Sequence, residues 1–131
     1  MSYRWVEHTA ELEMEIEAST EEGVFGDALH AMRELLASGG GDEQVWREVA
    51  VDAGDRAALL ASWLDELVYF AETEDLVPEE AGRLDLSDRG LVATVRFRRG
   101  SPRHLVKGVT YHRLAIEPSG RGYRATVVLD V

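Results

Sequence analysis

The run Glu11-Leu12-Glu13-Met14-Glu15-Ile16-Glu17-Ala18 decides the fold class, because acidic and apolar side chains alternate along it without a break. A period of two is that of a β-strand with one face buried. Leu12, Met14, Ile16 and Ala18 are therefore expected to face a core, and the four glutamates to face outward. Directly afterwards, Ser19-Thr20-Glu21-Glu22 supplies a hydroxyl cap and first-turn acids, so a helix should begin there. Val24, Phe25, Ala28, Leu29, Met32, Leu35 and Leu36 follow at helical spacing, and Gly39-Gly40-Gly41 stops the run.

Further along, residues 45–51 read as a short strand, and Gly54-Asp55 leads into a second helix over about 56–73. Its apolar stripe includes Leu59, Leu60, Trp63, Leu64, Leu67, Val68 and Phe70. Beyond it the pattern turns to strands over 84–86, 91–98, 109–116 and 123–131. Ser119-Gly120-Arg121-Gly122 predicts a hairpin turn between the last two. No linker interrupts the chain. The expectation is an α+β fold: a single domain over 1–131, with a mixed β-sheet and two main helices packed on one face.

Composition narrows the function classes. The 131 residues are enough for one ordinary core. With 25 acidic against 14 basic residues, the net charge of -11 argues against gripping a nucleic acid or an anionic membrane. It fits a basic protein surface or a bound cation. The absence of cysteine removes disulfides, thiolate metal sites and cysteine nucleophiles. No segment has the length and apolarity of a signal peptide or a membrane span, so a soluble, cytoplasmic protein is expected.

The residues offer one candidate centre. Glu7-His8-Thr9-Ala10-Glu11 lies in the first turn, and the apolar run 125–131 ends in Asp130-Val131. If the first and last strands are neighbours, Glu11, Asp130 and the Val131 carboxylate could bracket one hard cation. Oxygen ligands favour calcium, magnesium or manganese over zinc. The plainer alternative is that these acids are merely solvated. His8, His30, His104 and His112 have no ligand spacing on any one element, and no nucleophile frame is present. Gly39-Gly40-Gly41-Asp42 lacks the lysine and hydroxyl of a phosphate loop. Arg96, Arg98, Arg99, Arg103, His104 and Lys107 make the one basic stretch, readable as a phosphate or partner contact or as a solvated loop.

Four segments, in order, resemble the archease family. Residues 3–11 are similar to its aromatic strand followed by Asp-His-Thr-Ala-Asp. Residues 63–70, Trp-Leu-Asp-Glu-Leu-Val-Tyr-Phe, resemble its Trp-Leu-Asn-Glu-Leu-Leu-Tyr-Leu helix. Residues 106–112, Val-Lys-Gly-Val-Thr-Tyr-His, resemble its Val-Lys-Ala-Val-Thr-Tyr-His strand, and 125–131 are similar to its closing Ala-Thr-Val-Ile-Leu-Asp-Ile.

The resemblance implies a non-catalytic protein cofactor for a GTP-dependent RNA-splicing ligase, one that promotes guanylylation of the ligase and restores multiple turnover in tRNA splicing and RNA repair. It implies a divalent-metal site at Glu11, Asp130 and Val131. It also implies a functional lysine at Lys107, with Glu7, His8 and His112 in the matching segments as candidates for partner contact or activation. Both acids of the opening motif are glutamates here, one methylene longer than the family's aspartates. The competing classes are a metal-dependent phosphoester hydrolase using His8 or His112 as base, and an acidic interaction module that ignores metals.

Overall fold

The computed structural model describes residues 2–8, 10–37, 39–103 and 106–131. Strand β1 (Ser2–His8) forms a hairpin with β2 (Glu11–Ala18), and helix α1 (Glu21–Leu36) follows. Then come β3 (Gln44–Asp52), α2 (Arg56–Glu74), β4 (Leu76–Leu86), β5 (Gly90–Arg99), β6 (Gly108–Ser119) and β7 (Gly122–Asp130).

Local chemistry sets the boundaries. Thr20 caps α1 by accepting the Gly23 N–H at 3.0 Å, and Asp55 caps α2 by accepting that of Ala58 at 2.8 Å. Helix α1 closes at Leu36, ahead of the glycines expected to stop it, as the extended Ala37 donates its N–H to the Arg33 carbonyl. Helix α2 ends on Asp75 in the left-handed conformation (φ 55°).

The α+β class and the two helices agree with the sequence reading. The expected single mixed sheet does not. The strands form two sheets, ordered β1-β2-β7-β6 and β3-β5-β4, and every pairing is antiparallel. Alternating strands and helices suggest parallel neighbours, but here α1 carries the chain from one sheet to the other. Helix α2 then returns it to the far side of the place that β5 fills. Nor do the helices cover one face of one sheet: each touches strands of both. Met14, Ile16, Val127 and Leu129 of the larger sheet share an apolar cluster with Val49, Ala93, Val95 and Phe97 of the smaller. Trp63, fully buried, pins α2 to α1 by donating its indole N–H to the Phe25 carbonyl at 3.0 Å.

Strand β4 runs well beyond the 84–86 that periodicity predicts. Pro78 and Gly82 argue against a strand, and register shifts between Pro78/Glu80 and Ala81/Arg83 interrupt the alternation. The exposed Trp46 explains why glycine stands at 82. A Cβ there would come within 2.9 Å of the indole that lies across it.

Candidate functional site

In β2 the odd positions face away from the core, and cross-strand partners share a face. The register pairs His8 with Glu11, Glu11 with Asp130, and Asp130 with Gly108. His8, Glu11 and Asp130 therefore form one outward row at an end of the larger sheet. Carboxylates directly opposite on neighbouring strands bring their Cβ atoms to roughly 4.5–5.5 Å and repel unless a cation intervenes.

The main chain around this row is tied on both sides. Ala10, left-handed at φ 61°, accepts the Val131 N–H through its carbonyl at 3.3 Å. The Asp130 carbonyl accepts the Lys107 N–H at 2.7 Å. The first turn, the last residues and the start of β6 thus meet at one tip, where Lys107 is exposed. Glu7 pairs with Leu12 and belongs to the other face of the hairpin, apart from the row. Thr9 of the opening motif and His104 of the basic stretch lie outside the described residues.

The next outward row is built on Glu13, paired with Val128, which is paired in turn with Thr110. His8 Nε2 lies 3.4 Å from Glu13 Oε1, and Arg113 reaches the same oxygen with Nη2 at 3.0 Å and Nε at 3.2 Å. The Glu13 carboxyl is held below its usual pKa, first by a hydrogen bond from the Glu15 side chain and then by Arg113 and His8, against the opposing effect of burial. Among the described residues, no group of three or more His, Asp or Glu side chains is arranged to hold a metal ion. Side-chain oxygens at the tip come from Glu11 and Asp130, and the Val131 main chain adjoins them. Oxygen atoms of this kind suit a hard cation better than zinc.

Helix α2 also meets the tip. Asp65 Oδ1 accepts the Val109 N–H at 3.3 Å on the outer edge of β6. Partial desolvation raises the Asp65 carboxyl above its usual pKa, opposed by that hydrogen bond. His112 stands exposed on β6 with its N–H donated to Thr110 Oγ1 at 3.3 Å, and the sheet order puts β7 between it and Glu11. Among the described residues the basic stretch does not gather into a patch. Arg96 and Arg98 both reach Glu79, at 3.5 and 3.4 Å, while Arg99 faces the other way to Glu43 at 3.6 Å. Sequence reasoning missed Arg113 and its hold on Glu13, because no glycine or proline announces the irregularity in β6 that turns it across β7.

Residues 3–131 match the model of the archease protein family (MTH1598/TM1083). The chain belongs to the archease family. The archease of Archaeoglobus fulgidus is 31% identical over 140 residues that cover the whole of both chains. That of Methanosarcina barkeri is 28% identical, over 98% of this chain and 95% of its own. Among solved structures, Methanobacterium thermoautotrophicum protein 1598 superposes with a TM-score of 0.73 at 27% identity, covering 98% of each chain. A Thermotoga maritima structure described as an archease and possible chaperone gives 0.69 at 21% identity over 96% of this chain and 94% of that one, a likeness of fold alone. Among the described residues no helix is long and apolar enough to cross a membrane.

Proposed function

We propose that the chain is a non-catalytic activator of a GTP-dependent RNA-splicing ligase, working through the Glu11–Asp130 tip. The observation that carries this reading is the direct pairing of Glu11 with Asp130 beside the tied main chain of Val131 and Lys107. Like charges in that register are unfavourable alone and become favourable around a cation.

Glu11, Asp130 and the main-chain oxygens of Val131 would hold a divalent ion: calcium, magnesium or manganese. Bound there, such an ion supplies a hard positive charge for phosphate oxygens. The extra methylene of Glu11 is accommodated by a change of denticity or by a slight retraction of the main chain at Ala10. Lys107, whose backbone is fixed by Asp130, presents an ammonium for a phosphate or carboxylate of the partner. His8 lies against Glu13, and Glu11, Asp130 and Lys107 act through charge, so the tip needs no reaction of its own.

The test is transfer of labelled guanylate from GTP to the ligase, followed with and without this protein. Faster guanylylation with the wild type, lost in Asp130→Ala, is the expected result. Equal rates with and without the wild type would remove the activator role. Phosphoester hydrolysis by the chain alone would replace it with the hydrolase.

A further inference from the structure

Strand β6 departs from its partner next to the tip. Thr110 pairs with Val128 and Ala115 with Thr126, so the four residues Tyr111 to Leu114 stand opposite the single residue Val127. An ordinary bulge sets two residues against one. This one is therefore an outgrowth of the strand, and it is held firmly. Thr110 Oγ1 accepts the His112 N–H at its base. Arg113 adopts a left-handed conformation (φ 56°) that non-glycine residues seldom take. Its guanidinium crosses β7 to place two donors on Glu13. Beneath that crossing, Val128 is fully buried although it is outward-facing and lies outside the main apolar cluster.

The strut holds out an aromatic side chain. Tyr111 is 66% exposed, more than the other exposed large hydrophobics, Trp46, Tyr69 and Val92. It is flanked by exposed His112, and Lys107 stands just ahead of the strand, whereas Glu11, Glu13 and Asp130 dominate the adjoining face. Thr110 is two residues from Gly108, the neighbour of Asp130, so the outgrowth starts about 7 Å from the acidic row. An exposed tyrosine beside a histidine and a lysine has the composition of an interface anchor. The acidic row makes a nucleic-acid occupant unfavourable.

We propose that Tyr111 anchors the chain on its protein partner. The ring would enter an apolar pocket with an acidic rim facing His112 and Lys107, beside the opening that receives the tip. Arg113 is then a positioning residue acting through Glu13. This inference rests on the ligase partnership proposed above.

Multiple-turnover ligation is titrated with wild type, Tyr111→Ala, Tyr111→Phe and Arg113→Ala, and complex formation with the ligase is followed by size-exclusion chromatography. Tyr111→Ala is expected to raise the half-maximal concentration at least about tenfold at an unchanged plateau. Tyr111→Phe should stay near wild type, and Arg113→Ala should fall between the two. Because Tyr111 is exposed, the thermal midpoint of Tyr111→Ala should match wild type, which checks the fold. A Tyr111→Ala curve that overlays wild type would overturn the anchor and leave the activator role standing. A lost plateau at an unchanged half-maximal concentration would also overturn it, by moving Tyr111 into the activation step. No stimulation and no complex with wild type would bring down both.

Discussion

Gly122→Ala should unfold this protein more readily than any ordinary surface substitution. A Cβ on Gly122 would sit 2.3 Å from the Ala18 carbonyl oxygen and 3.0 Å from Ser19 Cα, both of them backbone atoms. The first contact lies about 0.7 Å inside the 3.0 Å that real Cβ atoms respect, and no rotamer change relieves it. Either β7 retreats from the end of β2, breaking the Ala18–Tyr123 pair, or the chain entering α1 moves and takes the Thr20 cap with it. Overpacking of this kind costs about 2–3 kcal/mol, and a disturbed cap adds about 1 kcal/mol. For a domain of this size the thermal midpoint should fall by about 6–15 °C.

Urea unfolding followed by tryptophan fluorescence measures the loss. Gly26→Ala supplies the control in the same protein. Nothing lies within 4 Å of a Cβ at that position in the middle of α1, so alanine should stabilise by about 0.5–1 kcal/mol. A Gly122→Ala protein within about 0.5 kcal/mol of wild type would refute the close approach of β7 to the β2–α1 junction.

Three further outcomes follow from named contacts. Asp27 on α1 is 3% exposed, its Oδ2 has no hydrogen-bond partner among the described residues, and desolvation raises its pKa. The native state therefore holds its proton to higher pH than the unfolded chain, and stability declines as pH rises through the raised value. Asp27→Asn should flatten that decline in pH-dependent urea unfolding and gain about 1 kcal/mol at neutral pH; an unchanged slope would contradict it. Glu11→Gln should gain about 0.2–1 kcal/mol in chelator and lose any rise in thermal midpoint that calcium or manganese gives the wild type. A cation-induced rise that survives in the variant would place the ion elsewhere. Asp65→Ala should speed amide exchange of Val109 by about three- to tenfold in NMR, since its N–H loses its acceptor, whereas unchanged exchange would show water replacing the carboxylate fully.

Much of this arrangement is legible in the sequence because it depends on local periodicity. The alternation of 11–18, the cap at Thr20, the stripe of α2 and the Gly120–Gly122 turn each specify an element within a few residues. The pairing of Glu11 with Asp130 is legible only as a condition on neighbouring strands, since register between such distant parts of the chain is a tertiary fact. Two sheets in place of one were invisible for the same reason: nothing in β2 or β3 says that the intervening helix changes sheets. The β6 outgrowth leaves no mark either. Its left-handed residue is an arginine, stabilised by a glutamate 100 positions earlier, and neither residue type signals a bulge. Lys107 acquires its place from the Asp130 carbonyl, a backbone contact that side-chain reading cannot reach.

The central claim, that the Glu11–Asp130 tip turns this chain into an activator of an RNA ligase, is tested most directly by multiple-turnover ligation. The ligase that joins a 3′-phosphate or cyclic-phosphate end to a 5′-hydroxyl would be run alone, with the wild-type chain, and with a folded Asp130→Ala variant. Repeated turnover with the wild type, and a single round with the variant as with no addition, is the predicted result. Turnover restored equally by Asp130→Ala, or by neither protein, would contradict it.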